Sequence, residues 1–177
     1  MIIDLGGIAK GFAADKVKAY LLDYGVRHAI INMGGNVLVI GENPEKRPWK
    51  IGIQNPFMPG GTVMGVVEAI DESIVTSGIY ERYFIEDNVH YHHILNTDTG
   101  YPVNNSLVSV TIITNSSTKA DALSTGIFAL GYEDGILMIE NMEGVDAVFI
   151  TKERKVYLTS GIKNRFSITD DSFIIVD

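Results

Sequence analysis

The chain has 177 residues, 46% hydrophobic and 20% charged, enough for one domain with a sizeable core. Its 14 basic against 22 acidic residues give a formal net charge of −8, which weighs against a nucleic-acid backbone or an anionic membrane as the main partner. There is no cysteine, so disulfides, thiolate zinc sites and cysteine nucleophiles are excluded; no apolar run approaches the roughly 18 residues of a membrane-spanning helix.

Residues 8–24 carry Ala9, Phe12, Ala13, Val17, Tyr20 and Leu21 at helical spacing, with Gly25 as a stop signal, and predict an amphipathic helix. "HAIINMGGNVLVIG" sets two short apolar runs around Gly34 and Gly35, the pattern of strand, tight turn, strand. "WKIGIQNP" and "GTVMGVVEAID" predict two more strands, joined by the turn-rich "NPFMPGG". "SIVTSG", "YERYFI" and "VHYHHIL" continue as short β runs, and the β-branched "LVSVTIIT" predicts a buried strand. "STKADALSTGIFALG" then predicts a helix with Ala120, Leu123, Ile127 and Leu130 on its core face and Gly131 at its end. A second helix follows in "EDGILMIENM", then a hairpin in "DAVFITKERKVYLTSG" and a terminal strand in "SFIIVD". No repeat or low-complexity linker divides the chain. The expected architecture is one α+β domain over residues 1–177, a largely antiparallel sheet with packed helices.

Four segments offer chemistry. In "DLGGIAKG" two glycines let the backbone turn sharply and approach a ligand, and the following helix presents free N–H groups that favour a phosphate. Lys10 adds a cation, and Asp4 can accept hydrogen bonds from a sugar or a ring N–H. The same residues also fit a plain loop–helix junction, and the segment lacks the glycine spacing and preceding strand of the dinucleotide fingerprint.

In "TKADALST", Asp121 and Thr125 stand four apart and share one helix face. A carboxylate and a hydroxyl, joined by a backbone carbonyl, make a hard oxygen site suited to Mg²⁺. Thr118 followed three residues later by Asp121 is equally a helix-capping pattern. In "YHHILNTDTGYP", His92 and His93 alternate along a strand, so one faces a cleft or core and the other faces away. A single imidazole near a phosphoryl group can serve as a general base; a buried histidine bonded to backbone is the plainer reading. Ser77 and Gly78 in "VTSGIYERYF" suit a bend at a ligand pocket, with Tyr80 and Tyr83 in sheet packing. No nucleophilic triad is assembled locally, and the four histidines lack zinc spacing.

In order, "DLGGIAKG", "INMGGN", "TSG-Y-RYF", "YHHIL---TGYPV", "SVTII" and "ADALSTGIFALG" resemble the ApbE family, the FAD:protein FMN transferases. The resemblance runs to about Gly131 and implies a T-fold-like ApbE fold. It implies Mg²⁺-dependent transfer of FMN from FAD to a threonine of an acceptor protein, with release of AMP. The acceptors it implies are subunits of membrane-bound electron-transport complexes, which suggests an extracytoplasmic or membrane-tethered setting. Matched position by position, Asp121 and Thr125 correspond to side-chain Mg²⁺ ligands and Gly7 to the position giving a backbone carbonyl. Asp4, Lys10 and Leu95 correspond to flavin-site positions, and His93 to the histidine that helps the acceptor hydroxyl attack.

Two motifs depart from the family pattern. Asn96 and Thr97 stand where Asp-Pro is usual, and Ile79 stands where a polar residue is expected. The family also carries a long part before "DLGGIAKG", so the chain is expected to be the C-terminal portion of an ApbE-like protein, with part of the FAD cradle elsewhere. Two other activities fit the same residues: hydrolysis of FAD to FMN and AMP, or a non-catalytic flavin-binding or oligomerisation module whose exposed strand edges pair between copies.

Overall fold

The computed structural model describes residues 3–58, 60–87 and 89–176. Met1, Ile2, Pro59, Asn88 and Asp177, which fall in segments read above, lie outside the described residues. The first helix is α1 (Ala9–Asp23), and it ends as its sequence directs, with Gly25 at a φ of 83°. The glycine pair then makes a two-residue turn, Gly34 and Gly35 having φ of 62° and 92°, between β1 (Ala29–Met33) and β2 (Asn36–Ile40). β3 (Trp49–Gln54), β4 (Val63–Ala69), β5 (Ser73–Gly78), β6 (Tyr83–Glu86), β7 (Val89–His92) and β8 (Leu107–Thr114) follow. After them come α2 (Ser117–Leu130), α3 (Tyr132–Glu140), β9 (Val145–Thr151), β10 (Lys155–Leu158), β11 (Phe166–Ile168) and β12 (Ile174–Val176).

Seven strands form the main sheet in the order β1-β2-β5-β8-β9-β10-β12, antiparallel except for the parallel pair β10–β12. β11-β4-β3 make a second sheet, and β6 and β7 form a separate hairpin. The near-continuous apolarity of β8 has a direct cause: every residue of the strand is buried, because both faces of the main sheet are covered. On one face Ile74, Val108, Ile113, Val148 and Ile150 meet Ile51, Ile53, Met64, Val67 and Phe166 of the small sheet. On the other, Val75, Val110, Ile112, Ala147 and Phe149 meet Ala120, Ile127 and Phe128 of α2 and Ile139 of α3. A third cluster packs Ala14 of α1 on Ile31, Leu38 and Ile40 of the β1–β2 hairpin. The fold is therefore α+β, as expected, with helices on one face of a mostly antiparallel sheet.

Four details differ from the sequence reading. The apolar stripe of α1 is largely exposed, with Phe12 54% and Tyr20 60% accessible, while Gly11 and Ala14 are the buried positions. Leu130 is exposed at the end of α2, whose buried face continues instead through Ser124 and Phe128. Tyr83 packs only across the small β6–β7 sheet, as an exposed ring stacked on His90, 4.2 Å between centroids. The three-residue strand β11 was not anticipated; it is too short for alternation to register in sequence.

Candidate functional site

α1 and α2 cross closely because position 11 is glycine. A Cβ there would sit 2.2 Å from the Ser117 carbonyl oxygen and 2.8 Å from Asp121 Cβ. The contact is fixed by carboxylates traded between the helices. Asp15 of α1 accepts the N–H groups of Ser117 and Thr118 at 2.8 and 2.9 Å, and the Thr118 hydroxyl at 2.7 Å. It also accepts the Ser116 hydroxyl at 3.2 Å. In return Asp121 of α2, only 5% exposed, accepts the Gly11 N–H through Oδ2 at 2.8 Å. Each helix thus has N-terminal donors satisfied by the other.

The capping pattern read at Thr118 and Asp121 is corrected by this arrangement. The N-cap of α2 is Ser116, whose side chain accepts from Lys119 N–H, and Thr118 is a donor to Asp15. Asp121 does satisfy a helix terminus, but that of α1 rather than its own. Burial pushes the Asp15 carboxyl up; the hydrogen bonds from Thr118, Ser117 and Ser116 outweigh it and leave the group below its ordinary range.

The capture of Gly11 N–H has a second effect. In a regular helix that N–H would close on the carbonyl four residues back, which is Gly7. Its diversion to Asp121 leaves the Gly7 carbonyl unclaimed by α1. Asp121 Oδ1 has no hydrogen-bond partner among the described residues. A hydroxyl chain orients the third oxygen. Ser124 donates to the Asp121 carbonyl at 3.0 Å, and Ser77 Oγ lies 2.8 Å from Ser124 Oγ and 3.1 Å from Thr125 Oγ1. With the Ser124 proton committed, Ser77 donates to Ser124 and Thr125 donates to Ser77, so both lone pairs of Thr125 stay free.

A cavity of about 350 Å³ collects these groups. It is lined by Asp4, Gly6, Gly7 and Lys10 from the start of the chain, and by Thr76 and Ser77 from β5. Glu81 and Arg82 from the β5–β6 loop, His93 and Ile94 after β7, and Asp121 and Thr125 from α2 complete it. Among the described residues no three His, Cys, Asp or Glu side chains gather as a metal cluster. The donor set is of another kind: one carboxylate oxygen and one carbonyl without an internal hydrogen bond, and one hydroxyl that donates to Ser77 and keeps its lone pairs free. That set fits Mg²⁺, which takes few protein oxygens and keeps water and phosphate in its remaining positions.

The two histidines separate as strand alternation requires. His92 is buried, with Nε2 3.0 Å from the Val103 carbonyl and its ring edge-on to Phe128. Burial lowers its pKa, with His90, His93 and Lys152 adding and the Val103 hydrogen bond opposing. His93 is exposed and reaches the cavity, its Nδ1 3.2 Å from the Arg82 carbonyl. Six sequence-derived positions, Asp4, Gly7, Lys10, His93, Asp121 and Thr125, therefore share one cavity. Leu95 does not. It is 51% exposed and lines an adjoining groove of about 390 Å³ with Tyr83, Phe84, Tyr91 and His92, which meets the cavity at Arg82 and His93.

Both motif departures are absorbed locally. Asn96 Oδ1 accepts from Asp98 and Thr99 N–H at 2.9 and 3.0 Å, so the turn keeps its side-chain acceptor without a carboxylate. Ile79 packs between the two main core clusters and does not line the cavity. Tyr80 lies against Gly78, where a Cβ would meet its ring at 2.4 Å; burial raises its phenol, with Glu81 adding. Asp15, Glu81 and Arg82 were not singled out from the sequence. Asp15 carries no local signal, since its partners lie more than 100 positions away, whereas Arg82 sits inside the quoted "YERYF".

A family profile described as the ApbE family matches residues 1–149. The chain is 42% identical over 177 residues to the FAD:protein FMN transferase of Klebsiella pneumoniae (strain 342), covering all of this chain and 54% of that protein. It is 39% identical over 183 residues to the FAD:protein FMN transferase of Treponema pallidum (strain Nichols), covering 99% of this chain and 51% of the other. The crystal structure of the ApbE protein from Thermotoga maritima superposes with a TM-score of 0.83 at 38% identity, over 92% of this chain and 53% of that one. The flavin transferase ApbE from Vibrio cholerae gives a TM-score of 0.79 at 34% identity, over 92% and 52%. The chain spans about half the length of the curated relatives it matches.

Proposed function

Because the chain belongs to the ApbE family, we propose that it carries the metal-binding and proton-accepting part of a flavin transferase site. The reaction is transfer of FMN from FAD to a threonine hydroxyl of an acceptor protein, with release of AMP. The observation that carries this reading is the convergence of Asp4, Gly7, Lys10, His93, Asp121 and Thr125 on one cavity, from three separate parts of the chain.

In the balanced step the threonine oxygen attacks the phosphorus on the FMN side of the diphosphate. An O–P bond forms, the bridging P–O bond breaks, and AMP leaves with the bond electrons. The hydroxyl proton passes to His93, whose exposed position at the cavity lets a macromolecular acceptor reach it. Asp121, Thr125 and the Gly7 carbonyl would hold Mg²⁺, which supplies charge neutralisation to the diphosphate. Lys10 adds a positive charge beside it, and Asp4, whose Oδ1 already accepts Gly6 N–H at 2.6 Å, keeps its second oxygen for a donor on the flavin side.

The same exposure of His93 admits water, which favours FAD hydrolysis as the second reading. Product analysis separates them. FAD and Mg²⁺ are supplied with and without a threonine-containing acceptor peptide. Flavin attached to the peptide, with AMP formed in proportion, supports transfer. FMN and AMP formed at a rate the peptide does not change contradicts it. The oligomerisation reading draws on the edge strands of the main sheet, β1 and β12, and concentration-dependent sedimentation is its test.

A further inference from the structure

We propose that Arg82 acts twice in the flavin-transfer step: its carbonyl sets the tautomer of His93, and its guanidinium binds the phosphoryl group that moves. The inference rests on the transfer reading above and adds a substrate-contacting residue to it.

The first part follows from a contact. The Arg82 carbonyl accepts the His93 backbone N–H at 3.2 Å, and His93 Nδ1 lies 3.2 Å from the same oxygen. A carbonyl can only accept, so this contact is a hydrogen bond only when Nδ1 carries the proton. The neutral ring is then held as the Nδ1–H form, and the lone pair is on Nε2. That nitrogen is the one left to take the proton of the attacking hydroxyl. Through its carbonyl, Arg82 is a positioning residue.

The second part follows from where the side chain lies and from what it does not do. Arg82 lines the cavity that holds Asp121, Thr125 and Lys10, and also the adjoining groove that holds Leu95, so it stands at their junction. Three carboxylates line the same cavity, Asp4, Glu81 and Asp121. Yet among the described residues the Arg82 guanidinium has no hydrogen-bond or ion-pair partner. Arg165 shows what a structural arginine does in this fold: it bonds Glu72 at 2.6 Å and Asp146 at 3.3 Å. An arginine kept out of such pairs, beside a base and a hard-oxygen site, has its planar donor fork free for a phosphate. In the transfer step it would bind the non-bridging oxygens of the migrating phosphoryl group, where charge builds as the bridging bond breaks.

The tests use the chain with Mg²⁺, FAD and a threonine acceptor peptide. Nitrogen NMR of the histidine-labelled chain, at a pH where His93 is neutral, is expected to show Nδ1 protonated and Nε2 bare. An Nε2–H ring at His93 overturns the first part. For the second, Arg82→Gln is expected to lower kcat for transfer by about 100-fold, the loss typical of one donor to a developing oxyanion, with a smaller change in FAD affinity by flavin fluorescence. Arg82→Lys should recover part of that loss, since it restores charge but not the fork. Arg82 is exposed, so circular dichroism of both variants should match the parent. If the parent chain transfers FMN and Arg82→Gln equals it, the guanidinium role is refuted while the transfer reading stands. If the parent neither binds FAD nor transfers, the transfer reading fails and this inference fails with it.

Discussion

Asp15→Ala removes the carboxylate that joins α1 to the start of α2. Four hydrogen bonds end on it, two from backbone N–H groups of the first turn of α2 and two from hydroxyls. Loss of a single N-cap costs about 0.5–2 kcal/mol, and a hydrogen bond to a charged group is worth about 1.5–3 kcal/mol. These contributions overlap and do not add. Ser116 still accepts Lys119 N–H, and solvent reaches part of the carboxylate, so the expected loss is about 2–3 kcal/mol. For a chain of this size that corresponds to a fall of about 5–10 °C in Tm. Urea unfolding followed by circular dichroism measures it directly. The pH dependence supplies a sign check, because the Asp15 pKa is depressed in the fold below its ordinary 3.8. Its contribution is present above pH 3.8 and is lost as pH falls through the folded value. The gap between parent and Asp15→Ala should therefore close in acid. A loss below about 0.5 kcal/mol at pH 7, or a gap constant from pH 7 to pH 3, would refute the reciprocal capping.

Three other outcomes are expected. Gly11→Ala forces a methyl against the Ser117 carbonyl and should destabilise by about 1–3 kcal/mol or more, while Gly126→Ala, with open space around its Cβ, should be neutral or slightly stabilising; equal melting temperatures would remove the close crossing. Ser77→Ala breaks the hydroxyl chain and lets Thr125 turn its lone pairs elsewhere, so Mg²⁺ affinity should fall about tenfold by calorimetry with little change in melting, whereas unchanged affinity means Thr125 is oriented without it. His92 is held neutral, its pKa pulled below the usual 6.5 by burial, so stability is full above that pH and falls as the pH drops from there to the folded value. Melting curves for the parent and His92→Gln should converge as pH falls from 7 to 5; parallel curves would show that His92 titrates normally.

Elements defined by their own residues were legible in the sequence. The Gly34–Gly35 hairpin requires two positive φ angles and says so, and the β-branched, almost continuously apolar run of β8 announces a buried strand. The candidate site was legible by resemblance for six of its residues, and the histidine pair sorted itself by alternation. What sequence could not supply was the pairing of distant groups. The rotation of α1 follows from Gly11 against Ser117 and from Asp15 against residues 116–118, contacts that no local period encodes. The release of the Gly7 carbonyl was equally hidden, since it depends on a carboxylate 110 positions from the N–H it captures. Leu95 was matched to a flavin-site position by its place in a motif, and it lines the groove that adjoins the cavity at Arg82 and His93.

The central claim is that Gly7, Asp121 and Thr125 form a Mg²⁺ site that holds the diphosphate of FAD, and the most direct test is a titration of FAD into the chain, with Mg²⁺ and with chelator. Flavin fluorescence reports binding, and Asp121→Asn, which keeps an acceptor for Gly11 N–H but loses the charge, serves as the comparison. The account predicts saturable binding that requires Mg²⁺ in the parent and is weakened at least tenfold in Asp121→Asn, with melting little changed. Binding of equal strength with Mg²⁺ and chelator, or in parent and variant, would contradict it.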